Sequence, residues 1–397
     1  MRMSAALKAA FSLLFAMSAV LSAGPEFKRY EQIAPAVPLY GPPDTVSMFV
    51  IGDVMLHSKQ MEYPYDQFLA GIKGLMQSAD VTVANMEFTL AGEPYTGYPE
   101  FSAPDEYATY AADCGVNVFL TANNHILDKG RAGLERTLEV YRSMESGKRI
   151  RFVGTSTDEM DELSRNPLII NVRGIRIAFL NFTYGTNAPM RGLEWPKVNR
   201  IDTTDIHKAL TRAKERKADF ILAFPHWGEE YALEHSEAQE KLAHWLVKNG
   251  INAIVGAHPH VVQDSTVIGG IPVFYSLGNA VSNMSAANTQ LELGVGLKFV
   301  RDENGDRSML SPSVTYLWCS RPGKFIDNYA TIVVKEHIGT REKWISPPHY
   351  DKMMSTYYRV KLQPGYRIEK RLEKQHIKTE ADRSDFTLTI SLRFNYS

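Results

Sequence analysis

The stretch Val46-Ser47-Met48-Phe49-Val50-Ile51-Gly52-Asp53-Val54-Met55-Leu56 decides the reading of this chain. Val46–Ile51 is a short apolar run, as a buried strand requires, and it delivers a carboxylate just past its end. Alone, Asp53 reads equally well as a turn residue after Gly52. The same context then recurs. Val81–Ala84 runs into Asn85-Met86-Glu87, and Val116–Thr121 into Ala122-Asn123-Asn124-His125. Phe220–Phe224 runs into Pro225-His226-Trp227-Gly228, and Ala253–Val255 into Gly256-Ala257-His258-Pro259-His260. Oxygen and nitrogen donors of these types hold divalent ions that activate water in hydrolytic sites. Buried carboxylates and imidazoles are unfavourable unless something pairs them, and a cation supplies that pairing.

The rest of the pattern places these motifs. Asp66–Ser78, Asp105–Cys114, Arg131–Ser146, Asp202–Lys217 and Ser236–Asn249 read as helices, the third with Leu134, Leu138 and Tyr141 on one face. Arg151–Val153, Leu168–Val172, Ile175–Phe182, Pro272–Tyr275, Leu293–Val300 and Met309–Trp318 read as further strands. Helices alternating with short apolar strands predict an α/β layered fold with its site at the strand C-terminal ends. The hairpin through Gly174 predicts mixed sheets. If the strands share one sheet, all the donors meet at one edge. His258 and His260 are expected to point to one side of an extended loop. In the loop Thr89–Pro104, Tyr95, Tyr98 and Phe101 form a lid or cap the core.

Composition narrows the class. The chain has 397 residues, 44% of them hydrophobic, and a formal net charge of −1. Near-neutrality argues against nucleic acid as a partner and against a membrane-surface role driven by a basic field. Arg2 and Lys8 precede an uncharged apolar run, Ala9–Ala23, too short for a spanning helix. Residues 1–23 are therefore expected to be a signal peptide or an N-terminal anchor, and the protein to be exported to the periplasm, cell envelope or exterior. Residues 24–45 read as a linker. Lys361–Asp385 is highly charged and reads as peripheral, and Phe386–Phe394 alternates like a last strand. Cys114 and Cys319 are either a disulfide or two buried thiols, and are too few for a thiolate zinc site.

Collectively the motifs resemble those of the CapA-type proteins linked to poly-γ-glutamate capsule synthesis, which share the calcineurin-like metallophosphoesterase architecture. The matching residues are Gly52–Leu56, Asn85–Glu87, Ala122–Asp128, His226–Tyr231, Gly256–Gln263 and Tyr275–Asn279. The resemblance implies an αββα sandwich with mixed sheets over residues 46–340, followed by an extension, 341–397, that it does not cover. It implies one or two divalent ions (Mn, Zn or Fe). Asp53 and His260 would hold one, Asn124, His226 and His258 the other, and Glu87 would bridge them. His125 would stabilise or protonate a leaving group, with Asp128 orienting it. The pattern departs at Met55, where phosphoesterases of this architecture carry a histidine, and a thioether is a poor ligand for a hard ion. His57 is either a replacement ligand or a loop residue near the site. The implied function is a metal-dependent hydrolase acting on an amide or phosphoester in the making or processing of an anionic polymer such as poly-γ-glutamate, with membrane proteins of capsule synthesis as partners. The alternatives are a non-catalytic binding or assembly factor and a secreted phosphatase or nucleotidase.

Overall fold

Strand β1, Thr45–Val54, is buried on both faces: Val46, Met48 and Val50 enter one core, Phe49 and Ile51 another. A strand of that kind must be covered on both sides, and this sets the layering of the molecule. The computed structural model describes residues 45–362 apart from 149, 191, 193 and 303. The expected signal segment, nearly all of the linker, the charged stretch beyond residue 362 and the strand Phe386–Phe394 lie outside the described residues.

The further strands are β2 (Val81–Met86), β3 (Val118–Leu120), β4 (Arg151–Val153), β5 (Thr155–Ser156), β6 (Leu168–Val172), β7 (Ile175–Thr183), β8 (Lys197–Val198) and β9 (Phe220–His226). After them come β10 (Ala253–Val255), β11 (Ser265–Ile268), β12 (Ile271–Phe274), β13 (Asn279–Val281), β14 (Leu291–Arg301), β15 (Arg307–Met309), β16 (Ser313–Ser320) and β17 (Ala330–Val333). The helices are α1 (Lys73–Ser78), α2 (Asp105–Cys114), α3 (Gly130–Lys148), α4 (Glu159–Arg165), α5 (Thr203–Glu215), α6 (Glu237–Lys248) and α7 (Pro347–Leu362).

A nine-stranded sheet runs in the order β17-β16-β14-β1-β2-β3-β4, with β13 on β1 and β15 on β14. A six-stranded sheet runs β11-β12-β10-β9-β7-β6. Each mixes parallel neighbours, such as β1–β2 and β7–β9, with antiparallel ones, such as β1–β14 and the β6–β7 hairpin. Val83 and Leu120 of the first sheet and Phe179, Leu222 and Phe224 of the second share the core between them. Alternate residues face outward to the helices. Phe119 packs with Leu134, Leu138 and Tyr141 of α3, and Ile221 and Ile254 pack with Leu210 of α5 and Leu246 of α6. Each fully buried side chain of this size contributes roughly 1.5–3 kcal/mol. The result is the αββα sandwich expected from the resemblance.

Three features differ from the sequence reading. The donor-bearing strands do not share one sheet: β1, β2 and β3 lie in the first, β9 and β10 in the second. Asp66–Ser78 is not one helix. It breaks into 3-10 turns at Tyr65–Gln67 and Ala70–Ile72 before α1, because the chain is pressed against β17, where a Cβ on Gly71 would sit 2.5 Å from the Thr331 carbonyl oxygen. Met309–Trp318 is split into β15 and β16 around Pro312, which has no N–H for the ladder. Helix α7 sends Tyr350, Met353, Tyr357 and Val360 into the inter-sheet core. Cys114 and Cys319 are buried free thiols.

Candidate metal centre

Two groups of donors come together where the ends of the two sheets meet. Asp53, Glu87 and His260 present ligand atoms within 4.8 Å of one another, and so do Glu87, His226 and His258. Glu87 belongs to both. All five residues are buried. Asn124 joins the second group, its Oδ1 lying 2.8 Å from His226 Nε2.

Each donor is placed by its element. Asp53 sits where β1 exchanges partners, leaving antiparallel β14 for parallel β13. Gly52 permits this, because a Cβ there would lie 2.0 Å from the Gly278 carbonyl oxygen. Glu87 directly follows β2, and Asn123, Asn124 and His125 follow β3. His226 is the last residue of β9, which continues two residues past the apolar run Phe220–Phe224. His258 and His260 follow β10 with φ of +101° and +58°. The loop is therefore not extended at either histidine. Such left-handed backbone costs on the order of 1–3 kcal/mol per residue and persists where surrounding contacts impose it. Here it brings the two ring centroids to 6.0 Å.

Amide side chains outside the expected ligand set fix the donors. Asn85 Nδ2 donates to Asp53 Oδ1 at 2.7 Å and lies 3.3 Å from His226 Nδ1. Asn123 supports Asn85 from behind and accepts the His125 N–H. Asn279 Nδ2 donates to the carbonyls of His260 and Thr289, so its Oδ1 is the atom 2.9 Å from His260 Nδ1. An amide oxygen only accepts, so Nδ1 carries the proton and the Nε2 lone pair faces Glu87 Oε1 at 3.9 Å. The backbone N–H of His258 donates to Asp53 Oδ2 at 3.3 Å, tying the two sheets together.

The donor set fits a divalent cation on its own evidence. Glu87 Oε1 and His258 Nδ1 are buried without a hydrogen-bond partner, and such groups are rare unless something else satisfies them. Burial first, then the Asp53 carboxylate, holds Glu87 well above the usual carboxylate range. Burial, then neighbouring imidazoles, holds His226 well below its ordinary value and pushes His258 down to about 3. Neutral imidazole is the form that binds metal.

His125 and Asp128 stand beside this cluster, Nδ1 to Oδ2 at 2.7 Å, both nearly inaccessible. Asp128 Oδ2 also accepts the Phe101 N–H at 2.8 Å, and the Phe101 ring packs edge-on against His125. Phe101 thus caps the core, while Tyr98 is 70% exposed. His57 is held by Gln60 and by the Asn283 N–H, and is not among the grouped donors. Burial pushes it down to about 4. Met55 is fully buried in the helix-side core. Arg131 pairs with Glu135 on the exposed face of α3. Trp227 is buried, its Nε1 donating to the Tyr275 carbonyl. Tyr184 lies against His258 and Tyr231 against His260, both half exposed at the rim.

Two of the residues missed in sequence carry a readable signal. Asn279 ends the Tyr275–Asn279 motif in the same strand-and-donor context, and Asn85 opens the motif that carries Glu87. Tyr184 and Asn187, which reaches His125 Nδ1 at 3.2 Å, carry none.

The family model described as bacterial capsule synthesis protein PGA_cap matches residues 47–284. The chain is 29% identical over 288 residues to the capsule biosynthesis protein CapA of Bacillus anthracis, covering 69% of this chain and 68% of that protein. It is 25% identical over 261 residues to the PGA biosynthesis protein CapA of Bacillus subtilis (strain 168), covering 62% and 66%. The chain thus spans about two thirds of the length of these relatives. Among solved structures it is similar to the calcineurin-like phosphoesterase YfkN from Bacillus subtilis, at 17% identity and a TM-score of 0.42, covering 69% of this chain and 90% of that one. The matched span holds every donor from Asp53 to His260, and this chain belongs to the PGA_cap family of bacterial capsule synthesis proteins.

Proposed function

We propose that this protein is an exported, divalent-metal-dependent hydrolase that cleaves an amide or phosphoester in the synthesis or processing of an anionic capsule polymer of the poly-γ-glutamate type. The observation that carries this reading is Glu87, shared by two donor groups and buried with Oε1 unpartnered. Asp53 and His260 on one side, and Asn124, His226 and His258 on the other, would complete two positions around it. A bound divalent ion supplies Lewis acidity and lowers the pKa of water.

The chain's own residues do the rest. Asp128 accepts the Nδ1 proton of His125, which leaves Nε2 to exchange a proton with a departing amine or alkoxide. The Phe101 N–H and ring hold that pair in place. Tyr184 and Tyr231 shape the mouth of the site. Export is supported by the apolar run after Arg2 and Lys8; among the described residues no helix is long and apolar enough to cross a membrane.

The test is hydrolysis of γ-glutamyl amides and phosphoesters by protein loaded with Mn²⁺ or Zn²⁺, against chelated protein and His125→Ala. Metal-dependent turnover that falls by about 10²–10⁴-fold in the variant supports the reading. A second reading, a non-catalytic metal-containing assembly factor, is favoured by Met55, which leaves one side of the centre without the histidine usual in this architecture. Full metal content with no turnover on any of these substrates selects it.

A further inference from the structure

Away from the donor cluster, a group of cations stands together without a counter-charge among the described residues. Arg321 follows β16, Lys324 lies in the turn beyond it, and His349 and Lys352 occupy the first two turns of α7. After burial, Lys324, Lys352 and Arg321 are what lower the pKa of His349, and Arg321 acts likewise on Lys352. Among the described residues no carboxylate lies within ion-pair range of Arg321, Lys324 or Lys352. Asp351, their neighbour on α7, is held by Arg341 at 2.8 Å. Like charges gathered this way repel one another unless an anion joins them.

Two of these cations, Lys352 and Arg321, are fixed instead to a single loop. Lys352 Nζ donates to Gln290 Oε1 at 2.7 Å and reaches the Ser285 carbonyl at 3.5 Å. Arg321 Nη1 reaches the Asn283 carbonyl at 3.5 Å, and its Nε is buried without a partner. The same loop touches residues that flank the donor cluster. The Asn283 N–H points to His57 Nδ1, and Met284 Sδ accepts from Asn279 Nδ2, the amide that orients His260. Arg321 and Lys352 are therefore linked to the neighbours of the donor cluster through one loop. The N-terminus of α7 adds the positive end of a helix dipole to the same place.

We propose that Arg321, Lys324 and Lys352 form a docking surface for the carboxylates of a polyglutamate chain, presenting it to the donor cluster across the 282–290 loop. The choice of a carboxylate polymer rests on the capsule reading above; docking itself requires no cleavage. Cations carried by separate segments, with Arg321 and Lys352 anchored at different points of one loop, suit a repeated charge better than a single anion. The Arg321 guanidinium matches a carboxylate in hydrogen-bond geometry, and the two lysine ammonium groups match it in charge.

The experiment is fluorescence anisotropy of labelled poly-γ-glutamate with the full, Mn²⁺-loaded chain at several salt concentrations. Lys324→Gln/Lys352→Gln is expected to weaken binding about tenfold or more and to flatten its salt dependence. Elemental analysis should show unchanged metal. Both lysines are partly exposed, so this pair keeps the test independent of Arg321→Gln, whose buried Nε ties it to folding. Wild-type binding that the pair leaves intact overturns the proposal, as does absence of wild-type binding. Equally strong competition by polyphosphate of matched charge overturns the carboxylate assignment. If wild type binds polymer without cleaving it while the double variant binds weakly, docking stands and the hydrolase reading falls. Cleavage of polymer by the double variant at unchanged KM does the reverse.

Discussion

The two sheets arrive at the centre with opposite chemistry. The nine-stranded sheet brings the carboxylates, Asp53 at the end of β1 and Glu87 just past β2, while the six-stranded sheet brings the imidazoles of His226, His258 and His260. Burial drives both kinds towards neutrality, raising Glu87 and lowering His226 and His258. Glu87 Oε1 on one sheet and His258 Nδ1 on the other are unpaired polar atoms in a dry place. Only across the gap do they complete each other, and a divalent ion is the partner that suits both at once. The centre is thus an interface between sheets, and a metal held there would be a structural link as well as a chemical one.

The sharpest way to break that link is Glu87→Gln, because both donor groups contain Glu87. We expect bound divalent metal to fall to background by elemental analysis. Saturating metal at a hundredfold over Kd stabilises a fold by about 2.7 kcal/mol, so wild type should melt several degrees higher loaded than chelated, and the variant should show no such gap. In the chelated state the variant should be no less stable than wild type, since an unpartnered buried carboxylate has been replaced by an amide. A variant that keeps its metal would show that the two groups do not depend on a shared bridge.

Asn279→Ala sharpens the comparison without touching a donor. Among the donors its side chain bonds His260 alone, and orienting partners of this kind typically change metal affinity by about 10–100-fold. The loss should appear on the Asp53 side only, as one weakened step in a competitive chelator titration. An equal loss at both steps would make Asn279 a support of the fold rather than of His260.

How much of this was legible follows from which interactions are local. Asp53, Glu87, His226 and His258 were readable because each closes a short apolar run, and that signal lies within a few residues. The division of donors between two sheets was not, because strand pairing such as β1 with β14 joins residues far apart in the sequence. The left-handed backbone at His258 and His260 is likewise imposed by the packing around the loop, not by local preference. Helix α7 was legible in principle, since Tyr350, Met353, Tyr357 and Val360 recur at helical spacing. The adjacent prolines at 347 and 348 and the charges that follow obscured it.

Glu292 tests the sheet that carries the carboxylates from behind. It is a single acid inside the apolar run of β14, fully buried, and its Oε1 accepts the Gly52 N–H at 2.7 Å where β1 leaves β14. Burial raises its pKa to about 8, against the opposing effect of that hydrogen bond. The folded protein therefore holds this proton between the ordinary carboxylate value and about 8, while the unfolded chain has released it. Stability from this group is greatest at low pH and declines as pH rises through that window, by at most about 1.4 kcal/mol per pH unit. Glu292→Gln keeps an acceptor for Gly52 and has no proton to lose. Its denaturant-derived stability should lack that decline, and its metal content near pH 6 should match wild type, the smallest change in metal of the three. Parallel stability profiles for variant and wild type would mean that Glu292 is already ionised in the fold, with its second oxygen paired by a group other than a proton.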